Sequence, residues 1–465
     1  MEFIPAPFGV ITLLGEAKMR IVVVGLGRVG YNISKALSEE GHDVIIIDKD
    51  PEVLKVAAAD LDVMTVAGNG ASARVLEAVD IKTVDIILAV TEHDELNMIA
   101  CMTAKQSGVP MTVARIRNPD YISYHPYILS FSHYGIDRII NPEHLAAQEI
   151  FRLIAMPMAT DVEYFYDGKL SLVGLKVTQE MEIAGQRIAD LNLDRFTIVA
   201  VAREGKALIP RGETRILPDD KILVLGETLG FHHLNGLTKK KTPVFRRVVI
   251  AGGGLIAQYL IRLLLQKKKR PEIIVLEPNP ELCAEIAADL PACEIICADP
   301  TNKEALEEQN IGLDDAFVSL LGKESDNLMA SLLARKIGVQ EVICEIGRED
   351  YIPLADTVGV TAAITPRLLT VNTVLKLVRK SNIVHINLLQ SGDAEILEVI
   401  PEPNSPVTKG KLRELGLSPG ILIGAVIHEG EVIVPRGDTW IQPSDHVIVF
   451  ALKKLVPEVE KLFYH

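Results

Sequence analysis

Residues 20–30 read RIVVVGLGRVG, and residues 247–257 repeat the pattern as RVVIAGGGLIA. In each stretch a run of apolar, largely β-branched residues leads through closely spaced glycines into a helical pattern. A strand that passes through such a turn into a helix presents backbone N–H groups to a phosphate. The two stretches therefore predict a tandem duplication in which each copy has a nucleotide-type turn.

The duplication extends well beyond the glycines. Asp80, Asp85 and Asn97 of the first copy correspond at one constant spacing to Asn310, Asp315 and Asn327 of the second. Residues 204–212, EGKALIPRG, return as residues 429–437, EGEVIVPRG, and each is followed by a Pro-Asp-Asp or Pro-Ser-Asp turn. The repeat unit therefore contains two modules.

The pattern of each copy predicts an α/β protein. Short β-branched runs such as Arg20–Val24 and Arg138–Ile140 alternate with helical segments, which is typical of a doubly wound parallel sheet. Shorter strands separated by turns follow, and they predict a small α+β lobe. We expect two Rossmann-like lobes at 19–155 and 246–380, each followed by a small lobe at 156–236 and 381–465. Residues 237–245 would form the linker.

Two apolar helical segments, His144 to Ile154 and Leu368 to Val378, are expected to leave the sheets. Because an unburied apolar face is costly, these helices are predicted to form an isologous interface between copies of the chain. The number of copies stays open at this point.

Composition excludes several function classes. The chain has 465 residues and a net charge of -14, which argues against a protein that binds nucleic acid. The five cysteines lie in apolar stretches without paired metal-ligand spacing, so no metal site is predicted. No uncharged apolar run reaches the roughly 18 residues of a membrane span, so we expect a soluble protein. Residues 1–18 lack the basic start of a secretion signal and are expected to be a start-site extension.

The glycine-rich turn of the first copy predicts a nucleotide site. Gly25 permits the tight turn, Gly27 lets a phosphate approach the backbone, and Gly30 lets the helix pack close to the sheet. Asp48 ends the next strand, where a carboxylate accepts hydrogen bonds from ribose hydroxyls. Such a carboxylate would repel a 2′-phosphate, so NAD or an adenine nucleotide is expected rather than NADP.

The segment after the fourth strand also lies at the predicted crevice. Thr91 is a candidate contact on the adenosine side. Asp94 precedes a helical run and is expected to be its N-cap, and His93 is expected to be an exposed helix-start residue rather than a catalytic base.

The second copy retains part of this pattern. It has Gly252, Gly254 and the carboxylate Glu277, and Ala257 replaces the last glycine. Two cations of the first copy are missing, because Leu255 corresponds to Arg28 and Glu345 corresponds to Arg115. A negative charge in place of a positive one should weaken phosphate binding. A functional site and a structural relic are equally compatible with these residues.

With these motifs in place, residues 19–465 resemble the TrkA family of potassium-uptake regulators, which are built from tandem RCK-N and RCK-C lobes. The most specific motifs are Gly25 to Gly30 with Asp48, residues 91–97, residues 114–119 and the Pro-Arg-Gly turns. The order N-C-N-C points to this family rather than to single-unit relatives.

The resemblance implies a cytoplasmic protein, peripheral on the inner face of the plasma membrane, that forms a ring, expected to be a homotetramer, beneath a Trk-type membrane potassium channel subunit. It also implies binding of NAD(H) and ATP or ADP. The implied pocket residues are Gly25, Gly27, Arg28, Val29, Gly30, Asp48, Asn69, Thr91 and Arg115, with Gly252, Gly254 and Glu277 in the second copy. Asn69 departs from the family, which often has aspartate there.

Two alternatives remain from the residues themselves. An NAD-dependent dehydrogenase would need a proton-transferring residue that faces the nicotinamide, and neither copy offers a convincing one. A free-standing nucleotide-binding scaffold would lack a membrane partner.

Overall fold

The computed structural model describes residues 18–122, 131–156, 159–166, 169–191, 193, 196–204, 206–228, 245–267, 270–378, 383–384 and 394–464. The expectation about the N-terminal extension and most of the expected linker fall outside these ranges. Within them, no helix has the length and apolar character that crossing a membrane requires.

The first Rossmann lobe contains a six-stranded parallel sheet in the order β3-β2-β1-β4-β5-β6. Its strands are β1 (Arg20–Val24), β2 (Asp43–Asp48), β3 (Met64–Ala67), β4 (Ile86–Ala89), β5 (Met111–Arg115) and β6 (Arg138–Ile140). Its helices are α1 (Arg28–Glu39), α2 (Pro51–Asp60), α3 (Ala73–Ala78), α4 (Asp94–Gln106) and α5 (Pro119–Ile122), and α6 (Pro142–Ala155) follows the sheet.

The second Rossmann lobe repeats this topology in the order β14-β13-β12-β15-β16-β17. Its strands are β12 (Arg247–Ala251), β13 (Glu272–Leu276), β14 (Glu294–Ile296), β15 (Asp315–Ser319), β16 (Glu341–Glu345) and β17 (Ala362–Ile364). Its helices are α7 (Leu255–Leu265), α8 (Pro280–Asp289), α9 (Lys303–Glu308), α10 (Glu324–Ile337) and α11 (Ile352–Thr357), and α12 (Pro366–Val378) follows.

Each Rossmann lobe is followed by a small lobe that contains a five-stranded sheet, in the orders β10-β9-β11-β8-β7 and β18-β19-β22-β20-β21. The first has β7 (Ala159–Phe165), β8 (Leu170–Lys176), β9 (Phe196–Arg203), β10 (Lys206–Leu208) and β11 (Lys221–Glu227). The second has β18 (Ile383–Val384), β19 (Ala394–Val399), β20 (Ile421–His428), β21 (Glu431–Ile433), β22 (His446–Leu452) and the helix α13 (Val456–Phe463). All strand pairs of these two small-lobe sheets are antiparallel. The predicted fold class is confirmed.

Local chemistry explains why the elements begin and end where they do. Strands β1 and β2 are buried on both faces, which accounts for their continuous Val and Ile runs. Helix α1 ends before Gly41, whose φ of 83° supplies the left-handed residue expected after a helix. Helix α2 begins with Pro51 and is capped by Asp50, whose carboxylate accepts from the backbone N–H of Glu52 at 2.9 Å. Sequence-local signals therefore set these boundaries.

The chain divides into two compact units, and each unit includes the helix that follows the Rossmann sheet of the other. One unit contains residues 1–142 with residues 367–381, and the other contains residues 143–366 with residues 382–465. Helix α6, which follows the first Rossmann sheet, packs on α7 of the second Rossmann lobe. The rings of His144 and Tyr259 meet edge to face at 5.2 Å, and Lys267 Nζ lies 4.7 Å from the centre of the Phe151 ring.

Part of the apolar surface of these two helices is covered within the single chain. Ile150, Leu153, Val374 and Val378 are buried within the chain, whereas Phe151 and Leu368 are half-buried. The sequence pattern reveals that a helix face is apolar, but it does not reveal which lobe covers that face. An interface between copies through these helices stays a prediction.

The two small lobes share a hydrophobic core. One cluster joins Leu172, Val199 and Leu225 of the first small lobe to Ile396, Ala425, Ile448 and Phe450 of the second. Gly424 leaves the space for this packing, because a Cβ there would lie 2.7 Å from the Phe450 ring and 2.9 Å from Leu225. The small lobes therefore pack on each other within one unit.

Candidate nucleotide site

The glycine-rich turn of the first Rossmann lobe is closely packed at its first and last glycines. Gly25 has φ of +98°, and a Cβ there would lie 2.8 Å from Thr91 Cγ2. A Cβ on Gly30 would overlap the carbonyl oxygen of Gly25. By contrast, nothing lies within 4 Å of the position of a Cβ on Gly27. The turn is therefore packed on the protein side and open at the position where a ligand would approach.

The helix that follows this turn begins without a side-chain cap. Gly27 is the N-cap of α1 and makes no side-chain hydrogen bond, whereas the neighbouring α2 is capped by Asp50. The first backbone N–H groups of a helix have no intrahelical acceptor, so those of Arg28, Val29 and Gly30 are donors for an anion. This arrangement fits a phosphate group without further side chains.

Asp48 holds the glycine-rich turn. Its Oδ2 accepts a hydrogen bond from Leu26 N at 2.6 Å, and its Oδ1 accepts one from Asp50 N at 2.9 Å. Each carboxylate oxygen can accept more than one hydrogen bond, so these contacts leave capacity for ribose hydroxyls. The residue predicted to bind ribose therefore also positions the turn.

Asn97 joins the ends of two strands, a role that the sequence did not predict. This fully buried side chain accepts from Thr91 N and Thr91 Oγ1 through its Oδ1, at 2.9 and 2.7 Å. Its Nδ2 donates to the carbonyl oxygens of Thr91 and Arg115, at 3.1 and 2.8 Å. The conserved spacing of Asn97 and Asn327 between the two copies was the signal that could have identified it.

The other predicted residues occupy different parts of the site. Arg28 is exposed, and Arg115 is half-buried with its Nη1 3.5 Å from the carbonyl oxygen of Thr91. Asn69 is exposed and forms a turn in which its Oδ1 accepts from Ala71 N at 2.9 Å. The Thr91 hydroxyl is already bonded to Asn97.

The expectation that Asp94 caps helix α4 is wrong. The N-cap is the exposed His93, and Asp94 is the first residue of the helix. The buried carboxylate of Asp94 instead accepts from the backbone N–H groups of Arg117 and Asn118, at 2.9 and 2.8 Å. Asp94 therefore holds the segment after β5, a tertiary contact that local sequence does not encode.

The second Rossmann lobe repeats the contacts that build the turn. Glu277 accepts from Gly253 N at 2.7 Å and from Asn279 N at 2.8 Å, as Asp48 does in the first lobe. Asn327 accepts from Leu321 N at 2.6 Å, and it donates to the carbonyl oxygens of Leu321 and Glu345. Gly254 is the N-cap of α7, again without a side-chain cap.

The electrostatics of the second lobe differ. Burial, together with the nearby carboxylates of Glu143 and Glu324, raises the pKa of Glu345 from 4.5 to about 7. At the equivalent position the first lobe has the cation Arg115, and Arg28 is replaced by Leu255. The two sites share a backbone, but the first has a cation at this strand end where the second has a partly ionised carboxyl group, so phosphates should favour the first lobe.

The chain is similar to known proteins over nearly its whole length. The TrkA-N domain matches residues 21–142 and 248–366, and the TrkA-C domain matches residues 172–234 and 396–464. A Trk system potassium uptake protein TrkA homolog of Methanosarcina mazei is 35% identical over 453 residues, which cover 96% of this chain and 100% of the relative. The TrkA of Azorhizobium caulinodans is 32% identical, with 96% and 98% covered.

The chain belongs to the TrkA family. Solved structures agree on the fold. A GsuK channel bound to NAD has a TM-score of 0.60 at 16% identity, with 97% of this chain and 80% of that chain covered. The GsuK RCK domain has a TM-score of 0.59 at the same identity, with 97% and 96% covered. In the sequence matches, each TrkA-N domain is followed by a TrkA-C domain, so this succession occurs twice in the chain.

Proposed function

We propose that this chain is the nucleotide-sensing regulatory subunit of a Trk-type potassium uptake system and that its first Rossmann lobe is the sensor. Membership of the TrkA family makes it a regulatory protein of potassium uptake and not a dehydrogenase. The observation that carries the sensor assignment is the uncapped N-terminus of α1 beside Asp48, which starts with the cation Arg28 where the second lobe has Leu255. The ligands proposed are NAD(H) and ATP or ADP.

The residues of the first lobe suit an adenine nucleotide. The N–H groups of the first turn of α1 would bind a phosphate, and Asp48 would accept from the ribose hydroxyls. Asn69 and Thr91 would line the adenosine side. Arg28 and Arg115 would be the cations that distinguish ligands differing by one phosphate. Gly252, Gly254 and Glu277 would form the equivalent site in the second lobe, weaker for phosphates because of Glu345.

Regulation follows from linkage between ligand binding and conformation. A ligand shifts an equilibrium only by the difference in its affinity for the two states, so the contacts with Arg28 or Arg115 must differ between them. A difference of about 1–3 kcal/mol is usual for such coupling. We further propose that the partner is a Trk-type membrane subunit on the cytoplasmic face of the membrane, that the chain forms a ring, and that its domains divide at 19–155, 156–236, 246–380 and 381–465.

Calorimetric titration of NADH, ATP and ADP into the full chain tests the sensor assignment. Arg28→Ala with Arg115→Ala should weaken binding at least about tenfold, because each charge-assisted hydrogen bond contributes about 1.5–3 kcal/mol. The matched control carries Leu255→Ala with Glu345→Ala at the equivalent positions of the second lobe, and it should leave this binding unchanged. Equal loss in both variants, or loss in neither, would contradict the assignment to the first lobe.

Potassium flux tests the regulatory role separately. The chain is added to vesicles that contain a Trk-type membrane subunit, and flux is measured with each nucleotide. We expect nucleotide-dependent flux with the parent chain and loss of that dependence with the double arginine variant. Flux that never responds to the chain would contradict the regulatory proposal while leaving the binding result intact.

A further inference from the structure

Three cysteines of the second Rossmann lobe lie close together in sequence but in different environments. All are free thiols. Cys283 is on α8 and is buried, whereas Cys297 directly follows β14 and is exposed. Cys293 directly precedes β14 and is half-buried. The three thiols therefore differ in their place in the fold and in their accessibility to a reagent in solution.

Cys283 and Cys297 both lie against Glu277. The Cys283 thiol donates to the carbonyl oxygen of Glu277 at 3.2 Å. Strands β13 and β14 pair Leu276 with Ile296, and Glu277 N donates to Ile296 O at 3.0 Å, so Cys297 is the neighbour of Glu277 in the adjacent strand. Tertiary structure has thus placed a pair of thiols beside the main chain of Glu277.

Cys293 is not an alternative partner for Cys297. The two residues flank the extended strand Glu294–Ile296, and four residues of strand span about 13 Å. Disulfide formation requires Cα atoms within about 7 Å. The strand therefore holds Cys293 and Cys297 apart.

We propose that Cys283 and Cys297 form a reversible disulfide, an oxidation site that closes beside Glu277. The oxidant is a low-molecular-weight disulfide such as oxidised glutathione. The Cys297 thiolate attacks one sulfur of the oxidant, a mixed disulfide forms, and one thiolate leaves. The Cys283 thiolate then attacks the Cys297 sulfur and releases the second thiolate. The two leaving thiolates take up the protons that the cysteines lose, and the oxidant gains the two electrons.

The environments of the two thiols set this order. Cys297 is exposed and meets the oxidant first. Burial raises the pKa of Cys283 to about 11, so Cys283 reacts only when the mixed disulfide is brought next to it. Once formed, the bridge ties α8 to the end of β14 and withdraws the thiol that donates to Glu277 O. The surrounding redox state would thereby alter the segment that positions Glu277, independently of whether this lobe binds nucleotide.

The test uses the full chain treated with oxidised glutathione, followed by alkylation of free thiols and cleavage after glutamate. Cleavage separates the three cysteines into peptides 282–285, 286–294 and 295–304. Mass spectrometry should find peptide 282–285 joined to peptide 295–304, and the link should disappear on reduction. A link between 286–294 and 295–304, or free thiols at both Cys283 and Cys297, would overturn the proposal.

Two variants refine the result. Cys283→Ser should retain glutathione on Cys297, because the resolving thiol is absent. The matched control Cys293→Ser should form the same link as the parent. A bridge that requires Cys293 would overturn the assignment.

Discussion

Gly30 has no room for a side chain, since a Cβ would overlap the carbonyl oxygen of Gly25. We expect Gly30→Ala to destabilise the first Rossmann lobe by about 1–3 kcal/mol, the usual cost of overpacking. Chemical denaturation of the parent and the variant measures this cost. The second lobe provides the control, because Ala257 occupies the corresponding position with its Cβ buried. Ala257→Gly should therefore not stabilise that lobe, and an unchanged Gly30→Ala protein would contradict the steric account.

His428 makes the second small lobe sensitive to pH. Its Nδ1 lies 2.7 Å from Asp445 Oδ1, and this hydrogen bond raises the pKa of His428 above its usual value near 6.5. The pKa of His428 is higher in the folded protein than in the unfolded chain, so the His428–Asp445 pair stabilises the fold fully below pH 6.5. This contribution is lost as pH rises through the raised pKa. We expect the Tm of the parent to fall over that interval.

The first small lobe shows which substitution should abolish this effect. Arg203 pairs with Asp220 there through two hydrogen bonds of 2.8 Å, and an arginine stays charged over the whole range. His428→Arg should therefore remove the part of the pH dependence that His428 causes. Identical Tm curves for parent and variant between pH 6 and pH 9 would contradict the assignment.

At the scale of elements, Asn97 and Asn327 each join the ends of two neighbouring strands. Asn97→Ala would leave the amide of Thr91 and the carbonyl of Arg115 without this buried partner, so we expect a loss of about 2–4 kcal/mol. It should also weaken nucleotide binding, because both strand ends line the proposed site. Denaturation and calorimetry measure the two effects. Asn327→Ala should cost similar stability but leave binding to the first lobe intact, and weakened binding there would contradict the division of roles.

Strand β16 ends in Glu345, whose charge opposes folding. Its folded-state pKa of about 7 exceeds its ordinary value of 4.5, so the protein loses stability as pH rises between these values. We expect Glu345→Gln to stabilise the protein at pH 8 by up to about 3 kcal/mol, and to have little effect at pH 4, where both side chains are neutral. Denaturation at the two pH values measures this difference. Equal effects at both would show that Glu345 is not titrating as described.

At the scale of the whole molecule, the shared core makes the two small lobes interdependent. Phe450 is buried among residues of both lobes, so Phe450→Ala should cost about 3–5 kcal/mol and expose strands of the first small lobe. Hydrogen exchange in β9 and β11 should therefore increase. Phe463→Ala is the matched control, because Phe463 is buried in a cluster that belongs to the second small lobe alone. Equal exchange in β9 and β11 for both variants would contradict the interdependence.

The amino-acid sequence by itself determined the duplication, the parallel sheets and the glycine-rich turns. These features depend on local periodicity and on the conformational needs of residues such as Gly25, so they can be read from consecutive residues. The match to the TrkA family confirms the resemblance drawn from the same motifs. The assignment of individual pocket residues and of the domain boundaries stays a prediction.

Only the tertiary structure decided which surfaces and side chains meet. It brought Asp94 to the segment after β5, placed Asn97 between two strand ends, and packed α6 on the second Rossmann lobe. It also placed Cys283 and Cys297 next to Glu277. The physical reason is that an apolar helix face or a buried polar side chain requires a partner, but its own sequence does not specify which distant residue supplies it.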